Sequence, residues 1–285
     1  MTRYQTPAAL RRALEDRLLA LVRREGGDIQ RLRRQTAFDR LLCRLFHESN
    51  APWLLKGGYA MELRIRAART TRDIDLGIRQ LPGGGTQWDA NAIRTLLERA
   101  ASIDLQDAFE FTIGEPTMDL DAAPYGGSRY PVQAHMAGRR FAGFHLDVSA
   151  GDILREPFEI LEGRDWLGFA GIAKARLLAI SREEQFAEKL HAYTLPRMER
   201  PNTRVKDLVD MLLLLQPGTM DQARLTENIK ATFLRRRTHD LPSPLPPPPP
   251  GWERTFAEMA AECGLEENLI DQHRRLAAYL AAIQP

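Results

Sequence analysis

Apolar residues recur at helical spacing through the first fifty positions. Leu10, Leu14, Leu18, Leu19, Ala20 and Val22 fall opposite arginines across 7–25, and after Gly26-Gly27-Asp28 the period resumes in Phe38, Leu41, Leu42, Leu45 and Phe46 across 29–48. Two amphipathic helices are predicted. From residue 51 the grammar changes. WLLKGG is a short apolar run into glycines, YAMELRIRA (59–67) reads as a helix and DIDLGI (73–78) alternates like a strand. Pro82-Gly83-Gly84-Gly85 predicts a loop, 88–101 a helix and FEFTIG (109–114) a strand. YPVQAHMA and RRFAGFHLDVSAG predict paired strands around a turn at Gly138. Beyond about residue 170 the pattern is almost wholly helical, over 182–195, 204–215, 221–236, 252–263 and 267–282, with LPSPLPPPPPG at 241–251 as a stiff polyproline connector.

Strands alternating with helices and ending in a meander predict an α+β protein with a mixed sheet. The expected divisions are N-terminal helices over 1–50 packing on a core over 51–168, then a mainly helical C-terminal domain over 169–285. A chain of 285 residues can bury a sizeable core. There is no apolar run long enough to span a bilayer and the N-terminus is charged, so a soluble cytoplasmic protein with no membrane partner is expected. Cys43 and Cys263 match neither a metal spacing nor a disulfide framework.

The formal charge is only +2, yet residues 1–50 hold eleven arginines against six acidic residues. This asymmetry permits a polyanionic partner, although arginines on amphipathic helices also serve as a solvated face. Lysine is scarce: Lys56, Lys174, Lys189, Lys206 and Lys230 are the only five. A compact ammonium is not interchangeable with guanidinium beside a phosphate, so Lys56 and Lys189 stand out within their motifs.

Asp73 and Asp75 are two apart on a predicted strand, which puts both carboxylates on one face about 6–7 Å apart. Like charges so close resist joint ionisation unless a cation neutralises them, and Mg²⁺, with Mn²⁺ as the alternative, is the hard ion that also holds substrate phosphates. Upstream, Gly57 and Gly58 let a phosphate approach backbone N–H groups at a helix start, with Lys56 beside them. His145, Asp147 and Ser149 share one face of HLDVSAGD. Neighbours on a single strand lack the orienting geometry of a hydrolytic triad, whereas a third carboxylate, Asp147, suits a second metal ion. In EEQFAEKLHAYTL, Lys189 lies next to the buried stripe, so its stem can pack while its ammonium reaches a phosphate. Asp207 and Asp210, three apart on the following helix, can orient Lys189 or Arg204.

KGGYAMELRIRAARTTRDIDL, HLDVSAGD and EKLHAYTLPRMERPNTRVKDLVDMLLL, in that order, resemble the AbiEii/AbiGii toxin family of DNA-polymerase-β-like nucleotidyltransferases, which includes the MenT toxins. The resemblance covers about 50–216 and extends more loosely through GWERTFAEMAAECG. It implies a nucleotidyltransferase-fold sheet, Asp73 and Asp75 as metal-binding catalytic carboxylates, Lys189 on the nucleoside triphosphate and Asp207 in support. Thr71 matches the family's small hydroxyl residue near the phosphates, and Arg204 is a further candidate for nucleotide binding. The wider superfamily prefers Gly-Ser where this chain has Gly58-Tyr59, so phosphate contacts are expected from backbone N–H groups, Lys56 or Thr70 and Thr71. The resemblance further implies transfer of a nucleotide to an RNA acceptor, the tRNA 3′ end, and a separately encoded antitoxin. A small-molecule or protein acceptor, and a non-catalytic nucleotide- or RNA-binding regulator on the same scaffold, are the competing readings.

Overall fold

The computed structural model describes residues 4–65, 68–82, 87–120, 123–197, 201–215 and 220–283. The glycines of the expected 82–85 loop and the last two residues of the expected 59–67 helix lie outside them. The chain divides into two compact units. One comprises Met1–Leu55, Arg72–Gly151 and Ile160–Ala179, the other Lys56–Thr71, Asp152–Glu159 and Ile180–Pro285.

In the first unit, α1 (Pro7–Glu25) starts where the Thr6 hydroxyl accepts from the Ala9 N–H with Pro7 in the first turn, and buries Leu10, Leu14 and Leu18. It stops at Gly26, whose φ of 77° suits glycine. Asp28 then caps α2 (Ile29–Leu45) by accepting from the N–H groups of Gln30 and Arg31. Ten of the eleven residues from Gln35 to Leu45 are buried, two arginines included. Arg40 and Arg44 both bond Asp107, which has no exposed surface, with closest contacts of 2.7 Å each. These arginines belong to the core and do not form a solvated face.

An eight-stranded sheet contains β1 (Trp53–Lys56), β2 (Asp73–Ile78), β3 (Phe109–Ile113), β4 (Met118–Asp119), β5 (Gly127–Met136), β6 (Arg139–Ala150), β7 (Glu159–Glu162) and β8 (Arg176–Ala179). Its order is β3-β5-β6-β2-β1-β8-β7, with β4 on β5. The expected hairpin of β5 and β6 is antiparallel around Gly138, whereas β6 runs parallel to β2 and β8 parallel to β1, so the sheet is mixed. Helix α4 (Ala90–Ala101) is capped by Asp89 and buries Ile93, Leu97 and Ala101. The stretch beyond residue 170, almost wholly helical by its pattern, also supplies β8, ahead of the first helix expected there at 182–195. Four residues are too few to show a period.

The second unit holds α3 (Gly57–Arg64), α5 (Arg182–Thr194), α6 (Val205–Leu214), α7 (Gln222–Arg236), α8 (Glu253–Glu262) and α9 (Leu269–Ile283). Phe186, Leu190, Leu208, Leu212, Ile229, Phe256 and Leu276 have no exposed surface and form its core. The proline run is fastened to this unit. Leu245 is buried, Tyr193 donates its hydroxyl to the Pro246 carbonyl at 3.1 Å, and the His273 Nε2 lies 2.9 Å from that same oxygen.

Candidate active site

Strand β2 buries Ile74 and Leu76 on one face and leaves Asp73 and Asp75 partly exposed on the other. The parallel register with β6 sets Asp73 opposite His145 and Asp75 opposite Asp147, and β5 sets Arg129 opposite Asp147. Arg129, Asp147 and Asp75 therefore form one row across three neighbouring strands, with Pro131, His145 and Asp73 in the next paired positions. The guanidinium grips Asp147 in a fork. Its Nε lies 2.7 Å from Oδ1 and its Nη2 2.7 Å from Oδ2, and Nη2 also approaches Asp73 Oδ2 at 3.5 Å. The hydrogen bonds to Asp147 raise the Arg129 pKa above its ordinary value, and the charges of Asp147, Asp73 and Asp75 add to the effect. His145 Nδ1 lies 3.6 Å from Asp73 Oδ1. One row further, the Ser149 hydroxyl is buried without a hydrogen-bond partner among the described residues.

The donor chemistry here fits a hard divalent ion bound in part by its substrate. Asp73 and Asp75 offer carboxylate oxygens on one face, while both Asp147 oxygens accept from Arg129. Among the described residues, no group of three or more His, Cys, Asp or Glu side chains is arranged to hold a metal by itself. Such a site would complete its ligand set with phosphate and water.

In the second unit, Lys189 points into α6. Its Nζ lies 2.6 Å from Asp210 Oδ2 and 3.2 Å from Asp207 Oδ1. Asp210, without exposed surface, also accepts a fork from Arg69 at 2.9 and 2.7 Å. Burial works to lower the Lys189 pKa, but Asp210 and then Asp207 more than offset it and raise the value. Arg204 approaches the other Asp207 oxygen at 3.6 Å. That oxygen, Oδ2, is buried and accepts no hydrogen bond from the described residues.

The glycine pair opens α3. Gly57 has φ +65° at the strand-to-helix turn, a conformation that favours glycine. A Cβ on Gly58 would stand 2.7 Å from Thr71 Oγ1 and 2.8 Å from Thr71 Cβ. Thr71 is thus packed directly on the start of α3. The residue at the cap position, Lys56, makes no capping hydrogen bond with its side chain. Lys56 is placed elsewhere. Its buried ammonium bonds Asp152 at 2.9 Å and Glu188 at 3.1 Å, and Arg236 joins Asp152 at 2.8 Å. Among the expected residues, then, Asp73, Asp75 and Asp147 come together in one unit. In the other, Lys189, Asp207 and Arg204 form one group, Gly58 meets Thr71, and Lys56 lies in an ion cluster. Arg129, Arg69 and the central part of Asp210 are the additions that sequence reasoning did not single out.

The mixed sheet thus carries two carboxylates on one strand face and a third on its parallel neighbour. The fold is similar to that of MenT4, a nucleotidyltransferase toxin from Mycobacterium tuberculosis, with a TM-score of 0.50 and 17% identity over 85% of this chain and 76% of that one. JHP933 from Helicobacter pylori also matches, at 16% identity over 90% and 98% of the two chains, with a TM-score of 0.44. No match was found among curated protein sequences. The model of the nucleotidyl transferase AbiEii toxin family, of type IV toxin–antitoxin systems, matches residues 40–282, and the chain belongs to that family. It is a nucleotidyltransferase, and the family implies a nucleoside triphosphate substrate and an antitoxin partner. Among the described residues, no helix is long and apolar enough to cross a membrane.

Proposed function

We propose that this toxin uses Mg²⁺ held by Asp73 and Asp75 to transfer a nucleoside monophosphate from a nucleoside triphosphate to the 3′ end of a tRNA. The supporting observation is the pair of partly exposed carboxylates on the polar face of β2. Mg²⁺ bound there would supply charge neutralisation for the triphosphate as pyrophosphate departs. In the transfer, the acceptor hydroxyl oxygen bonds to the α-phosphorus, the bond to the bridging oxygen breaks, and the hydroxyl proton passes to water. Little covalent work falls to the protein, so positioning and charge dominate.

Lys189, held by Asp210 and Asp207, offsets charge on the triphosphate, and Arg204 assists. The N–H groups at Gly57 and Gly58, with the Thr71 hydroxyl, contact phosphate oxygens. Lys56, whose ammonium already has two carboxylate partners, supports the turn that presents those groups. Asp147, which the sequence offers as a third metal ligand, keeps both oxygens on Arg129. The arginine-rich first fifty residues suit a polyanionic acceptor, and the antitoxin is encoded separately.

Incubation with each α-labelled nucleoside triphosphate, Mg²⁺ and total tRNA should label RNA with at least one of the four. Labelling of a small-molecule panel without any labelling of RNA would overturn the tRNA assignment while leaving the transferase intact.

A further inference from the structure

We propose that Arg129 is the resident cation of the acidic cluster, standing where a second divalent ion would otherwise neutralise Asp147, so that the chain takes up one metal ion and not two. The inference rests on the reading that Asp73 and Asp75 hold a metal. The Asp147 side chain is only 10% exposed, and each of its oxygens already accepts a charge-assisted hydrogen bond of 2.7 Å from the same guanidinium. A divalent ion of the magnesium type needs oxygen lone pairs at about 2.0–2.1 Å in near-ideal geometry. On Asp147 it would have to displace the guanidinium or sit against it, and like charges a few ångströms apart repel strongly outside bulk water.

Arg129 is not a wandering surface side chain. It lies on β5 between β4 and β6, opposite Met118 on one side and Asp147 on the other. Its neighbour Tyr130 has no exposed surface, and the Tyr130 hydroxyl donates to the Ala90 carbonyl at 2.9 Å. The backbone that carries the guanidinium is therefore pinned by the core. The same Nη2 reaches toward Asp73 at 3.5 Å, so this one group spans two of the three carboxylates. Unlike a metal ion, its charge is permanent and independent of metal concentration. Arg129 thereby acts as a positioning residue: it holds Asp147 and tempers the repulsion around Asp73 while leaving the β2 pair for a single ion.

Counting bound Mn²⁺ by electron paramagnetic resonance tests this on the full chain. Titrations are made with Mn²⁺ alone and with the non-hydrolysable α,β-methylene triphosphate of each base, corrected for Mn²⁺ on free nucleotide. The wild type should saturate at one ion per chain. Arg129→Met should admit a second, Arg129→Lys should stay at one, and Asp147→Asn should stay at one. Asp73→Asn should weaken the single site by at least about 10-fold, the lower end of what losing even a supporting partner of a ligand costs. Two ions in the wild type with one lost in Asp147→Asn, or Arg129→Met remaining at one, would overturn the proposal and leave the β2 metal site standing. Absence of any Mn²⁺ uptake sensitive to Asp73→Asn would remove the metal reading and this inference together. A thermal melt of each variant establishes folding. If Arg129→Met does not fold, the wild-type and Asp147→Asn counts decide.

Discussion

Asp210→Asn removes the negative centre of a buried triad without changing its shape much. Asp210 has no exposed surface, and its partners Lys189 and Arg69 have side chains only 10% and 14% exposed. After the substitution Lys189 retains Asp207 at 3.2 Å, whereas the charged fork between Arg69 and Asp210 is lost. Breaking a buried pair from one side typically costs about 3–5 kcal/mol because a charge is left behind, and here two cations are affected. At roughly 2–4 °C per kcal/mol for a chain of this size class, the expected fall in Tm is roughly 6–20 °C. Urea denaturation followed by far-ultraviolet circular dichroism reports on the unit, whose content is mainly helical.

Asp207→Asn serves as the comparison. It loses longer contacts, at 3.2 and 3.6 Å, and should cost less than half as much. The pH dependence carries a definite sign. Burial pushes the Asp210 carboxyl up, but Lys189 and Arg69 pull it further down, below its ordinary value of 3.8. Its stabilising contribution is therefore complete above that ordinary value and is lost as the pH falls through the depressed one. A loss below about 1 kcal/mol in Asp210→Asn, or an equal loss in Asp207→Asn, would refute the assignment of Asp210 as the main anchor of Lys189.

Glu184→Gln should flatten the pH dependence of stability. Burial, then the charge of Glu188, pushes the Glu184 carboxyl from 4.5 up to about 8, so the unfolded chain releases this proton first and the folded state loses stability as pH climbs between those values. Urea midpoints at pH 5 and pH 8 should diverge in the wild type more than in the variant; equal divergence would show that Glu184 is not the buried acid described. Gly58→Ala forces a methyl to within 2.7 Å of Thr71 Oγ1 and should destabilise by about 1–3 kcal/mol, read as a lowered Tm. An unchanged Tm would mean that Thr71 yields freely. Asp107→Asn leaves Arg40 and Arg44, 4% and 1% exposed, without their shared carboxylate and should cost about 3–5 kcal/mol by the same measure. A loss under 1 kcal/mol would contradict its part in the core.

The helices were legible because each is long enough to show a period and most carry a cap or breaker: Thr6 and Gly26 bound α1, Asp28 opens α2, and α5 begins after Ser181. Strands β1 and β8 were not. WLLK is buried at all four positions, so it cannot alternate, and RLLA is as short. The acidic pair on β2 was legible from its spacing alone. Its alignment with Asp147 was not, since a parallel pairing between segments some seventy positions apart leaves no local trace. Arg129 is hidden for the same reason. It is one arginine in an arginine-rich chain, and only the β5–β6 register sets it opposite Asp147. Likewise Lys56 looked like a phosphate ligand beside two glycines, while its carboxylate partners, Asp152 and Glu188, lie far along the chain.

The central claim is that the β2 carboxylates drive nucleotidyl transfer to the 3′ hydroxyl of tRNA. Its most direct test compares wild type, Asp73→Asn and Asp75→Asn in transfer of label from an α-labelled nucleoside triphosphate to tRNA, using intact tRNA and tRNA whose 3′ terminus has been oxidised with periodate. The account predicts labelling of intact tRNA by the wild type, none of oxidised tRNA, loss of labelling in both variants on the order of 10²–10³-fold, and abolition by a chelator. Undiminished labelling by Asp75→Asn, or equal labelling of the oxidised tRNA, would contradict it.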